Sequence, residues 1–339
     1  MNLLKQICMV LLALSVSPLS EAAEYTIKGD IRYRYENRDS EDTNISDKSR
    51  ERIRARIGVY GDATETISFG TRIATGGTGV TSTNEDLDGS AANKSIGLDL
   101  AYMTIDSLLF EGVDTTLGKM KQPWKSVSDL IFDSDVTPEG IAFNSTEGNL
   151  SYHVGHFILD EQLGDDAQLA SAQVTYAFDS GLLLGVSFYD FSNMTNSIMS
   201  GTKNTVLNKK KYNTVEAFEL TEFFASYKIK STPLPLSLFV NYVENGAADT
   251  DNTAYMVGAK TKQGAWSFAY NYRDIEINAI YDEWADSDFH DGGTGGDGHK
   301  YKVKYALRDN LSLGATYFDT ETEAGKEVNT LQVDLVAKF

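Results

Sequence analysis

The segment Arg50-Glu51-Arg52-Ile53-Arg54-Ala55-Arg56-Ile57-Gly58 places an arginine at every second residue with small or apolar side chains between the last three. A guanidinium is charged at any ordinary pH, so such a row cannot do acid–base chemistry. It can pair with carboxylates or attract and steer anions. On a helix the four would be smeared around the cylinder, whereas a strand, with its two-residue period, sets them all on one face. Arg32 and Arg34 repeat the spacing one segment earlier, and Arg72 lies in the segment after. The element that positions this chemistry is therefore a strand with one cationic face and one apolar face.

The rest of the chain is made of the same material. Runs of about ten residues with period two recur at 24–36, 49–61, 64–75, 95–106, 113–120, 138–145, 148–159, 169–179, 181–191, 215–230, 235–245, 252–262, 264–274, 299–308, 310–319 and 328–339, which predicts an even number of strands, about 16. Tight links such as Thr146-Glu147 and Gln263 alternate with long polar stretches such as 37–48, 76–94, 121–137, 191–214 and 275–298. Short turns at one end and long loops at the other are the build of an up-and-down transmembrane barrel. The prolines avoid strand interiors, as ladders that need every N–H require.

One parity of these runs is apolar: Ile27, Ile31, Tyr33, Tyr35; Ile53, Ala55, Ile57, Val59; Ile96, Leu98, Leu100, Tyr102; Trp266, Phe268, Tyr270, Tyr272. The other parity carries Lys28, Asp30, Arg32, Arg34, the four arginines, Arg72, Lys260, Lys262, Lys300, Lys302, Lys304 and Asp334. An arginine facing lipid at the midplane costs about 2–4 kcal/mol, so four would cost roughly 8–16 kcal/mol. The charged face must meet water, and a closed sheet of this size is wide enough to hold a channel. A secreted soluble β-sandwich also alternates, but it has neither the near-uniform strand length nor the two-sided loop asymmetry. The segment 215–230 shifts parity between Leu220 and Phe223, which predicts either a bulge there or a misplaced strand boundary.

Residues 1–22 read as an export signal: Lys5, an apolar run from Ile7 to Val16 too short to span a bilayer, and a small-residue site ending at Ala22. The only cysteine, Cys8, lies within that segment, so residues 23–339 read as one barrel domain without disulfides or thiolate chemistry. A net charge of −19 excludes nucleic acid as a natural partner.

Between the fifth and sixth runs the chain reads GKMKQPWKSVSDLIFDSDVTPEGIAF, Gly118 to Phe143. This resembles the putative porins of Gram-negative outer membranes, in which a G-[KR]-M-K-x-P-[FW] strand end leads into an S-D-L-[IL]-[FW]-D-x-D-V-x-P-E-G loop. The resemblance implies that this third long loop folds into the barrel. Asp129, Asp133, Asp135 and, at its end, Glu139 would then form an acidic edge facing Arg32, Arg34, Arg50, Arg52, Arg54, Arg56 and Arg72. It also implies a homotrimer in outer-membrane lipid and lipopolysaccharide, assembled through a last strand ending at Phe339, that passes small hydrophilic solutes without a cofactor.

Other constellations carry less. The segment Asp282–His299 contains one G-G-x-G-x-D unit, but such units bind calcium only in stacks, so an acidic surface loop is expected and no metal site. His153 and His156 have opposite parity, which sets His153 in the lumen and prevents joint ligation. Lys209, Lys210 and Lys211 read as a solvated loop tip. A hydrolase would need Ser, His and a carboxylate or amide converging at one height, and the sequence suggests no such convergence. A sugar- or anion-specific channel is the nearer rival; a sugar channel would show lumenal aromatics, while most aromatics here share the lipid parity.

Overall fold

A computed structural model of the chain describes residues 24–161, 165–194, 217–229 and 234–339. The export signal and Lys209 to Lys211 lie outside the described residues. The strands are β1 (Tyr25–Ser40), β2 (Lys48–Thr64), β3 (Ile67–Thr75), β4 (Glu85–Asp86), β5 (Ile96–Ile105), β6 (Val113–Lys119), β7 (Glu139–Glu147), β8 (Leu150–Asp160), β9 (Ala167–Ala177), β10 (Leu182–Ser192), β11 (Phe218–Ile229), β12 (Leu236–Asn245), β13 (Thr253–Gln263), β14 (Trp266–Ile275), β15 (Gly296–Arg308), β16 (Leu311–Thr322) and β17 (Glu327–Lys338). Apart from the two-residue β4, which pairs with β2, each strand runs antiparallel to the next, and β17 returns to β1 from Asp30↔Lys338 to Ser40↔Val328. Sixteen strands close into one barrel, as the periodicity predicts.

Turn chemistry agrees with the pattern. The tight links after β7 and β13 turn at Gly148 and Gly264, with φ of +59° and +57°, a region that side-chain-bearing residues rarely occupy. The start of β1 and the end of β17 meet on this same side, where the Gly29 N–H donates to the Phe339 carbonyl at 2.9 Å.

Burial divides the two faces in the reverse of a soluble protein. Inward Arg34 and Glu36 are 5% and 4% exposed, while outward Ile31 and Phe188 are 49% and 54% exposed. The outward set, which includes Leu184, Val240, Phe268, Leu313 and Leu335, runs round the barrel. Burying one such side chain is worth about 1.5–3 kcal/mol, so a continuous band of them requires hydrocarbon around it.

Two parity expectations change. In β5 the pairing passes from Ile73↔Leu98 to Arg72↔Leu100, leaving Asp99 as an extra residue. This bulge reverses the faces beyond it: Leu98 stays outward, but Leu100 is fully buried and Tyr102 lies on the lumenal side against Gly70. In β11 no bulge exists, since it pairs regularly with β10 from Phe218 to Tyr227. Phe218, Leu220 and Phe224 point inward with the buried Glu222 between them, while Phe223 points outward, so apolar side chains on both faces mimic a parity shift in the sequence.

Candidate functional site

The arginines of β1 and β2 line one side of the lumen, and nearly every one meets a carboxylate of the wall itself. Arg34 forks onto Asp334 of β17 with bonds of 2.7 and 3.0 Å. Arg54 and Arg56 share Asp30, with Nε donating at 3.0 and 2.8 Å. Arg50 donates to Glu36 at 2.7 Å, Arg52 lies 3.4 Å from the same carboxylate, and Arg72 pairs with Asp99. Arg32 donates to Asn84 at 2.5 Å and lies 4.0 Å from Asp334. Asp86, on β4, adds a second counter-charge, 3.0 Å from Arg50 and 2.8 Å from Arg52. The short β4 thus folds the loop between β3 and β5 back over the arginine row.

Residues 120–138, between β6 and β7, turn into the barrel. They leave and rejoin the wall at a single point, where the Met120 N–H donates to the Pro138 carbonyl at 2.9 Å. Their Leu130, Ile131, Phe132 and Val136 are buried against Phe157, Tyr189 and Phe191 of the wall. Trp124 and Phe132 meet at 4.9 Å, and Phe132 meets Tyr189 at 5.0 Å. Polar pins fix the same loop: the Lys125 N–H donates to Gln173 Oε1 and Gln173 Nε2 donates back to the Lys125 carbonyl, both at 2.8 Å. Asn241 Nδ2 donates to Ser128 Oγ at 2.9 Å.

The carboxylates of this loop go to different partners. Asp135 accepts from Arg56 at 3.3 Å and so reaches the arginine row. Asp129 instead faces the opposite wall, accepting from Arg273 and from Lys300, each at 2.8 Å. Burial alone would raise its carboxyl, but Arg273 and then Lys300 hold it below the usual carboxylate range. Among the described residues Asp133 pairs with no cation; it accepts the Asp135 N–H at 2.7 Å and the Ser287 N–H at 3.4 Å. Burial, and then neighbouring Asp286, push its carboxyl up to about 8. Glu139 lies at the start of β7, exposed, and pairs with Lys119 at 2.7 Å rather than with an arginine.

Residues 276–295, between β14 and β15, are not the expected surface loop. They enter the lumen and complete the apolar cluster, with Ala279, Ile280 and Phe289 at most 1% exposed. Trp284 stacks edge-on against Phe132 at 5.7 Å and Phe191 at 5.9 Å. The two loops are joined where the Asp133 N–H donates to the Trp284 carbonyl at 2.7 Å. Asp286 lies 3.3 Å from Arg273 and 3.0 Å from Lys300, Asp288 lies 3.1 Å from Arg34, and Asp291 pairs with Arg38. The acidity read as a surface property serves as counter-charge inside the barrel. Seven apolar or aromatic residues, Ile277, Ala279, Ile280, Tyr281, Trp284, Ala285 and Phe289, are the sequence signal of insertion. Arg273 and Arg38, both of inward parity, were likewise legible.

Among the described residues the aromatics of the inserted loops pack edge-on against those of the wall, Phe239 and Phe318 lie under Lys260 and Lys300, and no ladder of free ring faces is offered to a sugar. Open space remains beside them: a cavity of about 670 Å³ between Thr75, Asp99, Asp135 and Asp160, and one of about 240 Å³ between Arg50, Arg52, Asp282 and Asp288. One convergence was not anticipated. His153 Nε2 lies 2.8 Å from Ser171 Oγ and its Nδ1 lies 3.1 Å from Asn144 Oδ1. The Ser-His-amide order is that of a nucleophile relay, but Ser171 and His153 are buried under Trp124, whose ring centre is 5.8 Å from the imidazole, so no substrate carbonyl can approach.

No curated protein matches this chain. Among solved structures, a triple mutant of Rhodopseudomonas blastica porin superposes with a TM-score of 0.57 at 12% identity, covering 93% of this chain and 100% of that one. A double mutant of the same porin gives the same identity, coverage and TM-score, and a structure described as "Asymmetric conductivity of engineered proteins" gives 0.58. At this identity the likeness establishes the shared fold. The family described as "Putative porin" matches residues 36–220 and 239–339, most of the chain. A barrel with a charged lumen, an apolar skin and this family's sequence is a channel of the outer membrane and not an enzyme: the chain belongs to the putative porin family.

Proposed function

We propose that the protein passes small hydrophilic solutes and ions by passive diffusion through an off-centre channel. Its constriction lies between the arginine row of β1 and β2 and the two inserted loops. The observation that carries this reading is the asymmetry of the lumen: apolar packing fills the side of β8 to β11, while charged groups keep the side of β1, β2 and β17 hydrated. Residues 1–22 act as the export signal and 23–339 as one barrel domain. The last strand, ending at Phe339, is the segment read by the barrel-assembly machinery, lipopolysaccharide surrounds the outer rim, and the working form is a homotrimer.

Purified protein in planar bilayers should give stepwise conductance that rises linearly with KCl concentration and is unaffected by dilute sucrose. Saturating block by one sugar would replace this reading with a dedicated sugar channel. Light scattering of the detergent complex should give three chains per particle.

A further inference from the structure

Every arginine of the lumenal row has a carboxylate within 4.0 Å, but the lysines nearer the short-turn end do not. Lys260 and Lys262 of β13 and Lys302 and Lys304 of β15 all have inward parity. Among the described residues none of the four forms an ion pair, and two nearby carboxylates are taken, Asp334 of the wall by Arg34 and Asp129 of the inserted loop by Arg273 and Lys300.

Register sets the four around a gap. Lys260 lies opposite Ala269 of β14, and Ala269 lies opposite Lys302; Lys262 lies opposite Ser267, and Ser267 lies opposite Lys304. The pairs are thus two strands apart, about 10 Å, across two small side chains. On the far side Lys304 faces Gly314, where a methyl group on the Cα would meet nothing nearer than the Val303 carbonyl oxygen at 3.5 Å. Lys260 Nζ donates to the Val127 carbonyl at 3.3 Å, which places the group directly beneath the inserted loop. Four ammonium groups this close repel, no carboxylate sits between them, and the nearest one on the wall, Asp334 across Gly314 from Lys304, is held by Arg34.

We propose that Lys260, Lys262, Lys302 and Lys304 form a subsite for small doubly charged oxyanions, of the size of phosphate, on the exit side of the constriction. This rests on the channel reading above. The subsite holds such an anion briefly after it passes the paired arginines, and so makes the channel favour anions although the chain as a whole is acidic.

The test is chloride current through single channels at pH 8 with inorganic phosphate added, and acetate as the singly charged control. Phosphate should reduce the current saturably and acetate should not. Lys302→Gln with Lys304→Gln should raise the half-blocking concentration by at least about tenfold. Lys302→Arg with Lys304→Arg should retain the block, and so should Lys94→Gln in an external loop. Block that survives the double glutamine variant, or conductance with no saturable block, overturns the subsite. Absence of any conductance step overturns the channel reading as well.

Discussion

Replacing Arg273 with methionine removes a guanidinium that is fully covered by the two inserted loops and bonded to a carboxylate from each, Asp129 at 2.8 Å and Asp286 at 3.3 Å. Only Lys300 is left to balance both. Removing one partner from a buried ion pair costs about 3–5 kcal/mol, because the remaining charge stays desolvated. With about 1.4 kcal/mol per factor of ten, the docked-to-undocked ratio of the loops should fall by roughly a hundredfold to a few thousandfold. The barrel ladders are untouched, so the loss should appear as larger open-channel current noise and faster protease cleavage within 120–138, with little change in the temperature at which the barrel unfolds. Adding Asp286→Asn to Arg273→Met rebalances the site and should recover most of the loss. If the single variant shows native noise and protease resistance, the aromatic cluster alone holds the loops and the charge reasoning is wrong.

The buried Asp133 carboxyl, raised to about 8, contributes stability that is complete below about pH 4 and lost as pH rises through 8. Current noise should therefore grow between about pH 4 and 8 and level off above that, and Asp133→Asn should flatten that dependence. Glu36→Gln takes one negative charge from beside Arg50, Arg52 and Arg34, the last 3.8 Å away, so the reversal potential under a KCl gradient should move toward chloride. Phe132→Ala should cost about 3–5 kcal/mol of loop docking, read by the same protease assay, since its ring contacts Trp124, Tyr189 and Trp284.

Strand number and the sidedness of the arginines on β1 and β2 were legible because each follows from a two-residue period, which these strands keep without a break through the arginines. The β5 face failed beyond Asp99 because a one-residue bulge leaves composition unchanged while reversing every later side chain. The partners of the arginines were legible only in part. Asp30, Glu36 and Asp334 lie on the same strand faces as the arginines, but which carboxylate meets which guanidinium depends on the register between β1, β2 and β17. Residues 276–295 were misread because acid and glycine content suggested solvent, whereas Trp284 and Phe289 required burial. Where a loop carries both, the aromatic side chains decide its position and the carboxylates find cations there.

The join of β1 to β17 links residues some 300 positions apart, as Arg34 and Asp334 are. No cylinder can form until the final dozen residues are in place. Loss of β17 would leave two raw edges, on β1 and β16, each a template for pairing with another chain. A truncated product is expected to aggregate rather than to make a smaller hole.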